Sequence, residues 1–512
     1  MTGSRRPGLS AGVAVAVLAA ALAGSARAET LADAIALAYR SNPTLQAERA
    51  QQRVTDEGIV QARAGLRPTA SVSLSTQYSD SPTGTSGPSH IETNTGAATL
   101  TLTQPLYNGG RTHAAIQAAE ATIQAGREGL RSTEATILQQ VVQAYTDVRR
   151  DQQIVTIREN NLTVLSNQLE ETKAKFEVGQ ITRTDVAQAQ AQLAAARALL
   201  STSQAQLQIS RANYTAVVGQ NPGELAPEPP APGVPATVDQ AFDTAEAESP
   251  VLLRARRTEQ ASRARISEAR AANRPTVSLQ GTLGYAGRVA PFDPSDYGRA
   301  VTAEAVVSQP LFTGGLNGSN IRSAVEQNTA DRIGIEGARR QVVQVVSQAW
   351  NVMASSRANV LSDEEQVRAA RVAFEGAQEE YRVGLRTTLD VLIAQQALRD
   401  AELALVQARH DAYVAEAALL GAMGRLEARY LVSGVDVYDP ATSYDRVKHA
   451  GGTPWDGVVE GFDAIGATSV AAEARPVAPL TGGPATMRPA AAPPAHPPLS
   501  TDQPTGSAET PR

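Results

Sequence analysis

Residues 104–110 read Gln-Pro-Leu-Tyr-Asn-Gly-Gly, and residues 309–315 read Gln-Pro-Leu-Phe-Thr-Gly-Gly. Each copy marks the same event in the chain. Upstream, Leu100 and Leu102 alternate with Thr99, Thr101 and Thr103, and Val301, Ala303, Ala305 and Val307 alternate with Thr302, Glu304 and Ser308. A period of two is that of a β-strand with one apolar face. Downstream, no proline interrupts the chain from Gly109 to about Val178, and apolar residues recur every seventh position at Ile116, Ile123, Leu130 and Ile137. The stripe steps four residues to Val141, then continues through Val148, Val155, Leu162, Leu169 and Phe176. Some 70 residues at ~1.5 Å each make a helix of about 105 Å. The motif is therefore a strand-to-helix corner, built on Gln104, Pro105, Gly109 and Gly110 in one copy and Gln309, Pro310, Gly314 and Gly315 in the other.

Working outward, everything around the corner is also duplicated. Residues 59–78 match 266–285 at 9 of 20 positions, and 176–196 match 381–401 at 9 of 21. The second long stripe reads Ile321, Asn328, Ile335, Val342, then Val346, Met353, Val360, Val367, Phe374 and Tyr381, with the same four-residue step. Such a stutter locally unwinds a left-handed coiled coil. Return helices carry seams at Val186, Leu193, Leu200, Leu207 and Tyr214, and at Val391, Leu398, Leu405, Ala412 and Leu419. Each repeat thus runs helix, strand, loop, strand, very long helix, tight turn, long helix. The expected strands are 70–78, 98–104, 277–285 and 301–308, joined by polar loops at 79–96 and 286–299. The first repeat spans 29–220 and the second 236–424, with a linker at 221–235 that holds six prolines. A C-terminal extension, 425–465, keeps two packing segments, Tyr438-Asp439-Pro440 and Thr453-Pro454-Trp455-Asp456-Gly457. From 466 to 512 the chain is Ala/Pro-rich and is expected to be disordered.

Composition narrows the function. The net charge of −6 leaves no basic excess for nucleic-acid phosphates. Aromatic residues are 4% while hydrophobic residues reach 42%, so the apolar content is mostly Ala, Val and Leu, which suits long packed helices. Cysteine is absent, which excludes disulfides, thiolate metal sites and a lipidated N-terminal Cys. The five histidines, His90, His113, His410, His449 and His496, share no metal-ligand spacing. No nucleophile elbow, P-loop or dinucleotide fingerprint occurs, so no enzyme, metal or cofactor is expected. Acidic runs such as Asp363-Glu364-Glu365 and Glu379-Glu380 read as solvated helix faces.

Residues 1–28 read as a secretory signal: Arg5 and Arg6, an apolar run from Leu9 to Gly24, and Ala26-Arg27-Ala28 at the cleavage site. A membrane anchor is the alternative, but the run is short for a spanning helix. No later stretch of 18 apolar residues follows. An exported chain without such a stretch is either soluble outside the inner membrane or embedded as a β-barrel. Strands of about ten residues with one apolar face fit a membrane barrel. A soluble antiparallel sheet is the commoner object with that pattern. Four strands cannot close a membrane barrel alone, since small ones need about eight, but oligomerisation would close one.

The corner signature Q-P-L-[YF]-x-G-G and the turn motif [FY]-x-V-G-x-x-[ST]-x-x-D-V, at Phe176 to Val186 and Tyr381 to Val391, resemble those of the TolC family of outer-membrane channels. The resemblance covers nearly all of 29–430. It implies a mixed α and β membrane protein of a Gram-negative outer membrane, working as a homotrimer. Three chains with four β-strands each would make one 12-stranded barrel in outer-membrane lipid, and their long coiled-coil helices a hollow α-barrel crossing the periplasm. It also implies a periplasmic adaptor, or membrane fusion protein, and an inner-membrane transporter, either ABC or proton-driven. The channel would be their passive exit duct, for type I protein secretion, multidrug efflux or both.

The turns 178–184 and 383–389 would form the periplasmic tip, with Gly179 and Gly384 at the reversals. Asp185 and Asp390 stand at the starts of the return helices, where a carboxylate suits the helix N-terminus. Capping alone would explain both. The resemblance implies more: Asp390 forms a pore-facing acidic ring, and a three-fold ring of like charge selects cations. The position three residues on, where relatives carry a second acid, is Ile393, so a hydrophobic constriction takes its place. It further implies that Asp185, Tyr381 and Arg386 link neighbouring turns and hold the gate closed. The competing reading from another class is a non-transporting trimeric envelope stalk or adhesin. A stalk needs neither the strand pairs nor the turn motif.

Overall fold

The structure, a computed structural model, describes residues 28–83, 89–432 and 434–465. The expected leader up to Arg27 and the tail 466–512 lie outside the described residues. The first repeat opens with α1 (Leu31–Ser41), α2 (Pro43–Asp56) and α3 (Gly58–Arg63), then β1 (Thr69–Thr83) and β2 (Ser89–Tyr107). The long helix α4 (Arg111–Glu177) and its return α5 (Arg183–Val218) complete it. The second repeat follows with α6 (Val238–Glu248), α7 (Pro250–Ala271), β3 (Thr276–Arg288), β4 (Gly298–Ser308), α8 (Leu316–Arg382) and α9 (Thr388–Met423). Three short helices end the described chain: α10 (Ala428–Leu431), α11 (Pro440–Val447) and α12 (Asp456–Ile465).

Prolines set the first breaks. Pro43 and Pro250 occupy the first turns of α2 and α7, where the missing N–H costs nothing. Asn42 caps α2, its Oδ1 accepting from Thr44 N at 3.0 Å, while its Nδ2 donates to Val217 O at 3.0 Å and ties the entry to the end of α5.

Both long helices have 67 residues, about 100 Å. Neither is paired with one partner throughout. Along α4, Arg131 reaches Glu248 O and Arg111 faces Glu268, so the first half runs beside α7 and its entry. Further on, Asp151 Oδ2 accepts from Ser210 Oγ of α5 at 2.5 Å. The partner changes near Ile137–Val141, which is where the heptad stripe steps by four. There the buried face widens to Ile137, Leu138, Val141, Val142, Ala144 and Tyr145, because α1 and the end of α9 pack against it. The stutter thus turns the seam from one neighbour to the next. In α8 the same step, Val342 to Val346, is buried. Asn328, the polar member of the second stripe, is also buried, its Nδ2 3.0 Å from Ser262 Oγ and 3.2 Å from Glu259 Oε1 of α7.

The proline-rich linker is extended but fastened. Glu29 and Leu225 bridge, with Glu29 N donating to Glu224 O at 2.8 Å and Ala226 N to Glu29 O at 2.9 Å. The Tyr145 hydroxyl lies 2.7 Å from Ala226 O and 2.9 Å from Glu29 O, so a fully buried ring holds linker and N-terminal segment together.

The strands form one antiparallel sheet in the order β1-β2-β3-β4. Register aligns Val72, Leu100, Leu283 and Val301 across all four strands, and Ser71, Thr101, Thr282 and Thr302 in the next row. One face is therefore an apolar belt and the other is hydroxyl-lined. Val72, Leu100 and Val301 of the belt are exposed. Within the described chain β1 and β4 are edges with no second neighbour.

The strands differ from expectation at 79–96. That segment was expected to be a polar loop, yet β1 runs to Thr83 and β2 begins at Ser89, with Gln77 opposite Thr95 and Ser79 opposite Thr93. A two-stranded ribbon in water needs no apolar face, only paired backbone and compatible cross-strand side chains. Polar composition therefore hid the pairing.

Candidate functional site

At the far end of the helices, two turns from the two repeats meet. In the first, Gly179 takes φ +74° and Gln180 N donates to Lys175 O at 2.9 Å; in the second, Gly384 takes φ +81° and Leu385 N donates to Glu380 O at 2.8 Å. This six-to-one closure satisfies carbonyls that the ending helix orphans, and the left-handed residue it needs is glycine. Nothing lies within 4 Å of where a Cβ would stand on either glycine, so backbone conformation alone selects them.

Each return helix then opens with a capping box. Thr182 donates to Asp185 Oδ2 through its backbone N at 2.9 Å and its hydroxyl at 2.7 Å, and Thr387 does the same to Asp390 Oδ2 at 3.0 and 2.8 Å. Those bonds to Thr182 hold the Asp185 carboxyl below the usual carboxylate range. The Thr387 bonds do so for Asp390, with Arg386 adding a smaller pull in the same direction.

The remaining residues sort into two contacts within the chain. Arg386 Nε donates to Glu380 Oε2 at 2.7 Å. The Tyr381 hydroxyl lies 3.0 Å from Lys175 Nζ and 3.4 Å from Thr388 Oγ1, and the ammonium stands 4.2 Å from the ring centre. Within one chain, then, Asp185, Tyr381 and Arg386 each bond to other partners and not to one another. Lys175 and Glu380 were not singled out from the sequence. They occupy equivalent places, each one residue before the aromatic that opens the turn motif, and carry opposite charge. That inversion between the copies is the signal that would have found them. Ile393 is exposed one turn beyond Leu389, also exposed, on α9.

At the opposite end, the corners show why their residues recur. Gln104 Nε2 donates to Leu66 O and Gln309 Nε2 to Asn273 O, both at 2.8 Å, so each glutamine ties the leaving strand to the segment that enters its hairpin. Neither Pro105 nor Pro310 has an N–H to give the ladder: β2 shifts register between Pro105 and Tyr107, and β4 ends at Ser308. Gly110 and Gly315, at φ +80° and +86°, start α4 and α8 from the left-handed region, preceded by Gly109 and Gly314 at +76° and +60°. Among the described residues no group of three or more His, Asp or Glu is placed to hold a metal ion.

A family model described as outer membrane efflux protein matches residues 34–220 and 241–425. The chain is 36% identical over 424 residues to the outer membrane efflux protein BepC of Brucella suis biovar 1 (strain 1330), covering 83% of this chain and 91% of that protein. It is 26% identical over 427 residues to the outer membrane protein TolC of Escherichia coli (strain K12), covering 80% and 84%. With the alkaline protease secretion protein AprF of Pseudomonas aeruginosa it shares 26% over 332 residues, 63% and 68% of the two chains. Among solved structures, the outer-membrane channel OprN superposes with a TM-score of 0.67 at 22% identity, covering 77% of this chain and 89% of that one. The Campylobacter jejuni CmeC outer membrane channel gives 0.69 at 15% identity, covering 82% and 89%. These structures share the fold of paired strands above long helices. By its two matched segments and by BepC, the chain belongs to the outer membrane efflux protein family.

Proposed function

We propose that three copies of this chain close into one duct, the passive outer-membrane exit of a tripartite export system. The observation that carries this is the sheet. It has an apolar belt with no protein against it, a hydroxyl-lined opposite face, and two open edges. In a bilayer an open edge is untenable, since each unpaired backbone group there costs several kcal/mol. Pairing β4 of one copy with β1 of the next removes every edge and places Ser71, Thr101, Thr282 and Thr302 around a wet lumen. Members of this family are channels rather than enzymes. A periplasmic adaptor and an ABC or proton-driven inner-membrane transporter would supply substrate and energy. The names of AprF and BepC point to protein secretion and to efflux respectively, and a passive duct serves either.

The gate lies at the turns. Arg386 is held by Glu380 at the exposed surface, where water screens an ion pair and leaves it weak, so it exchanges readily for a carboxylate on a neighbouring turn. Asp185 is that carboxylate, and Tyr381 adds its hydroxyl. Asp390 supplies the acidic ring and Ile393 the apolar constriction beyond it. Replacing Arg386 by Ser should raise single-channel conductance in planar bilayers. Unchanged conductance removes Arg386 from the gate. For cargo, the culture supernatant of a deletion strain decides. One abundant protein lost and restored on complementation assigns type I secretion; an unchanged profile with increased drug susceptibility assigns efflux.

A further inference from the structure

The C-terminal extension climbs from the middle of the helices to the first strand-to-helix corner and is fixed there. Asp463, fully buried, accepts from the backbone N–H groups of Asn108 at 3.0 Å, Gly110 at 2.9 Å and His113 at 3.3 Å, supplying the acceptor that Gly110, with no side chain, cannot provide at the start of α4. At the other end of α12, Asp456 Oδ2 accepts from Arg67 Nε at 3.1 Å. These bonds leave one side of the helix uncovered. Trp455, Val458, Phe462 and Ile465, spaced three, four and three apart, are 49%, 62%, 60% and 81% exposed, while Val459 and Asp463 face the corner.

The Trp455 ring is placed by its Nε1, which donates to Gln104 Oε1 at 3.2 Å. Gln104 follows Leu100 and Leu102 on the same face of β2, and its register partner is Leu279. The apolar belt of the barrel therefore continues through Gln104 into Trp455 and along α12. Two strand residues below Leu102 is about 7 Å, which is the depth change from hydrocarbon to headgroups. Tryptophan is enriched at that level because its ring is apolar and its N–H polar.

We propose that α12 lies in the periplasmic leaflet of the outer membrane, its Trp455–Ile465 side among phospholipid acyl chains. With ten residues it is about 15 Å long and cannot span, but an amphipathic helix fixed at the barrel rim lies in the interface plane. It gives each copy a lipid anchor at the foot of the barrel, in a chain that has no cysteine to acylate. This goes beyond the duct reading and rests on the barrel closure proposed there, which the conductance check below tests separately.

Trp350 and Trp455 are the only tryptophans in the sequence, and Trp350 sits 34 residues into α8, about 50 Å from its corner. The Trp350→Phe protein, reconstituted in phosphatidylcholine vesicles and checked for insertion by its conductance, reports Trp455 alone. In vesicles with brominated acyl chains part of its emission should be lost, as expected of an indole seated at the interface, and aqueous iodide should leave it unchanged. The same loss should appear as the difference between unaltered protein and Trp455→Phe, which keeps Trp350 in place. Quenching by iodide and not by bromine would place the helix in water and overturn the proposal. Quenching by neither would place it against a second copy of the chain and overturn it equally.

Discussion

Asp390 does two jobs with one carboxylate: it closes the capping box with Thr387, and in the proposed trimer it carries the pore charge. The two can be separated, because an asparagine oxygen still accepts from the Thr387 N–H while the charge is gone. Asp390→Asn should therefore shift the reversal potential away from cation preference as far as Asp390→Ala does, with the turn intact. Retained selectivity in Asp390→Asn would place the charge off the ion path. His410 offers a second test at this scale. Its Nε2 lies 2.9 Å from Asp147 Oδ1 and its Nδ1 2.9 Å from Asp411 Oδ1, with Arg150 bound to the same Asp147 at 2.8 Å. Burial works against protonation and so does Arg150, but the two carboxylates outweigh them and the pKa is raised. A raised cation pKa stabilises the fold fully below the ordinary histidine value of about 6.5. That contribution is lost as pH rises through the higher folded value. The melting temperature should accordingly drop as pH rises from about 6.5 through the higher folded value, and His410→Gln should flatten the drop. A drop of the same size in His410→Gln would assign it to other groups.

Among the elements, the corners were the most legible and the extension the least. Gln104 and Gln309 recur because each hydrogen-bonds a carbonyl at the foot of its own hairpin, a local requirement that leaves the same word in both repeats. Asp463 leaves no such word: it serves α4 from 350 positions away, and the N–H donor of His113 that it meets has no mark in sequence. The contact between Lys175 and Tyr381 escapes for the same reason, since it forms only because two separate turns converge. The turns themselves were readable from Gly179 and Gly384, where φ demands glycine. Gly109 is under a second constraint. A Cβ there would stand 2.8 Å from Arg274 Cβ and 3.0 Å from Ala271 O, whereas Gly179 has open space. Gly179→Ala should therefore cost about 1–2 kcal/mol, the left-handed strain alone. Gly109→Ala adds overpacking of about 1–3 kcal/mol. Thermal unfolding followed by circular dichroism should rank them in that order; equal losses would mean that Arg274 and the turn after α7 move aside freely.

For the whole molecule, closure is the property that one chain lacks and its register prepares. Alternation within single strands was visible in sequence, but the alignment of Val72, Leu100, Leu283 and Val301 into one row depends on pairing that no strand states by itself. The hydroxyl row beside it, ending at Thr302, is the same chain seen from the other face. Adjacent positions on β4 thus face opposite media, and the two can be told apart by one substitution carried to each. An arginine on the lipid face near the midplane of a barrel costs about 2–4 kcal/mol, hence about 6–12 kcal/mol over three copies. An arginine on the wet face has no such penalty, and it adds three positive charges to the lumen. Val301→Arg should then abolish heat-resistant trimers in the outer-membrane fraction. Thr302→Arg should assemble normally and show lower cation conductance in planar bilayers. If Thr302→Arg fails to assemble and Val301→Arg succeeds, the sheet closes with its faces reversed. If both assemble with unchanged conductance, the strands do not line the pore. The two faces are thus tested by positions one residue apart, where backbone, exposure and strand propensity are nearly matched and only the medium differs.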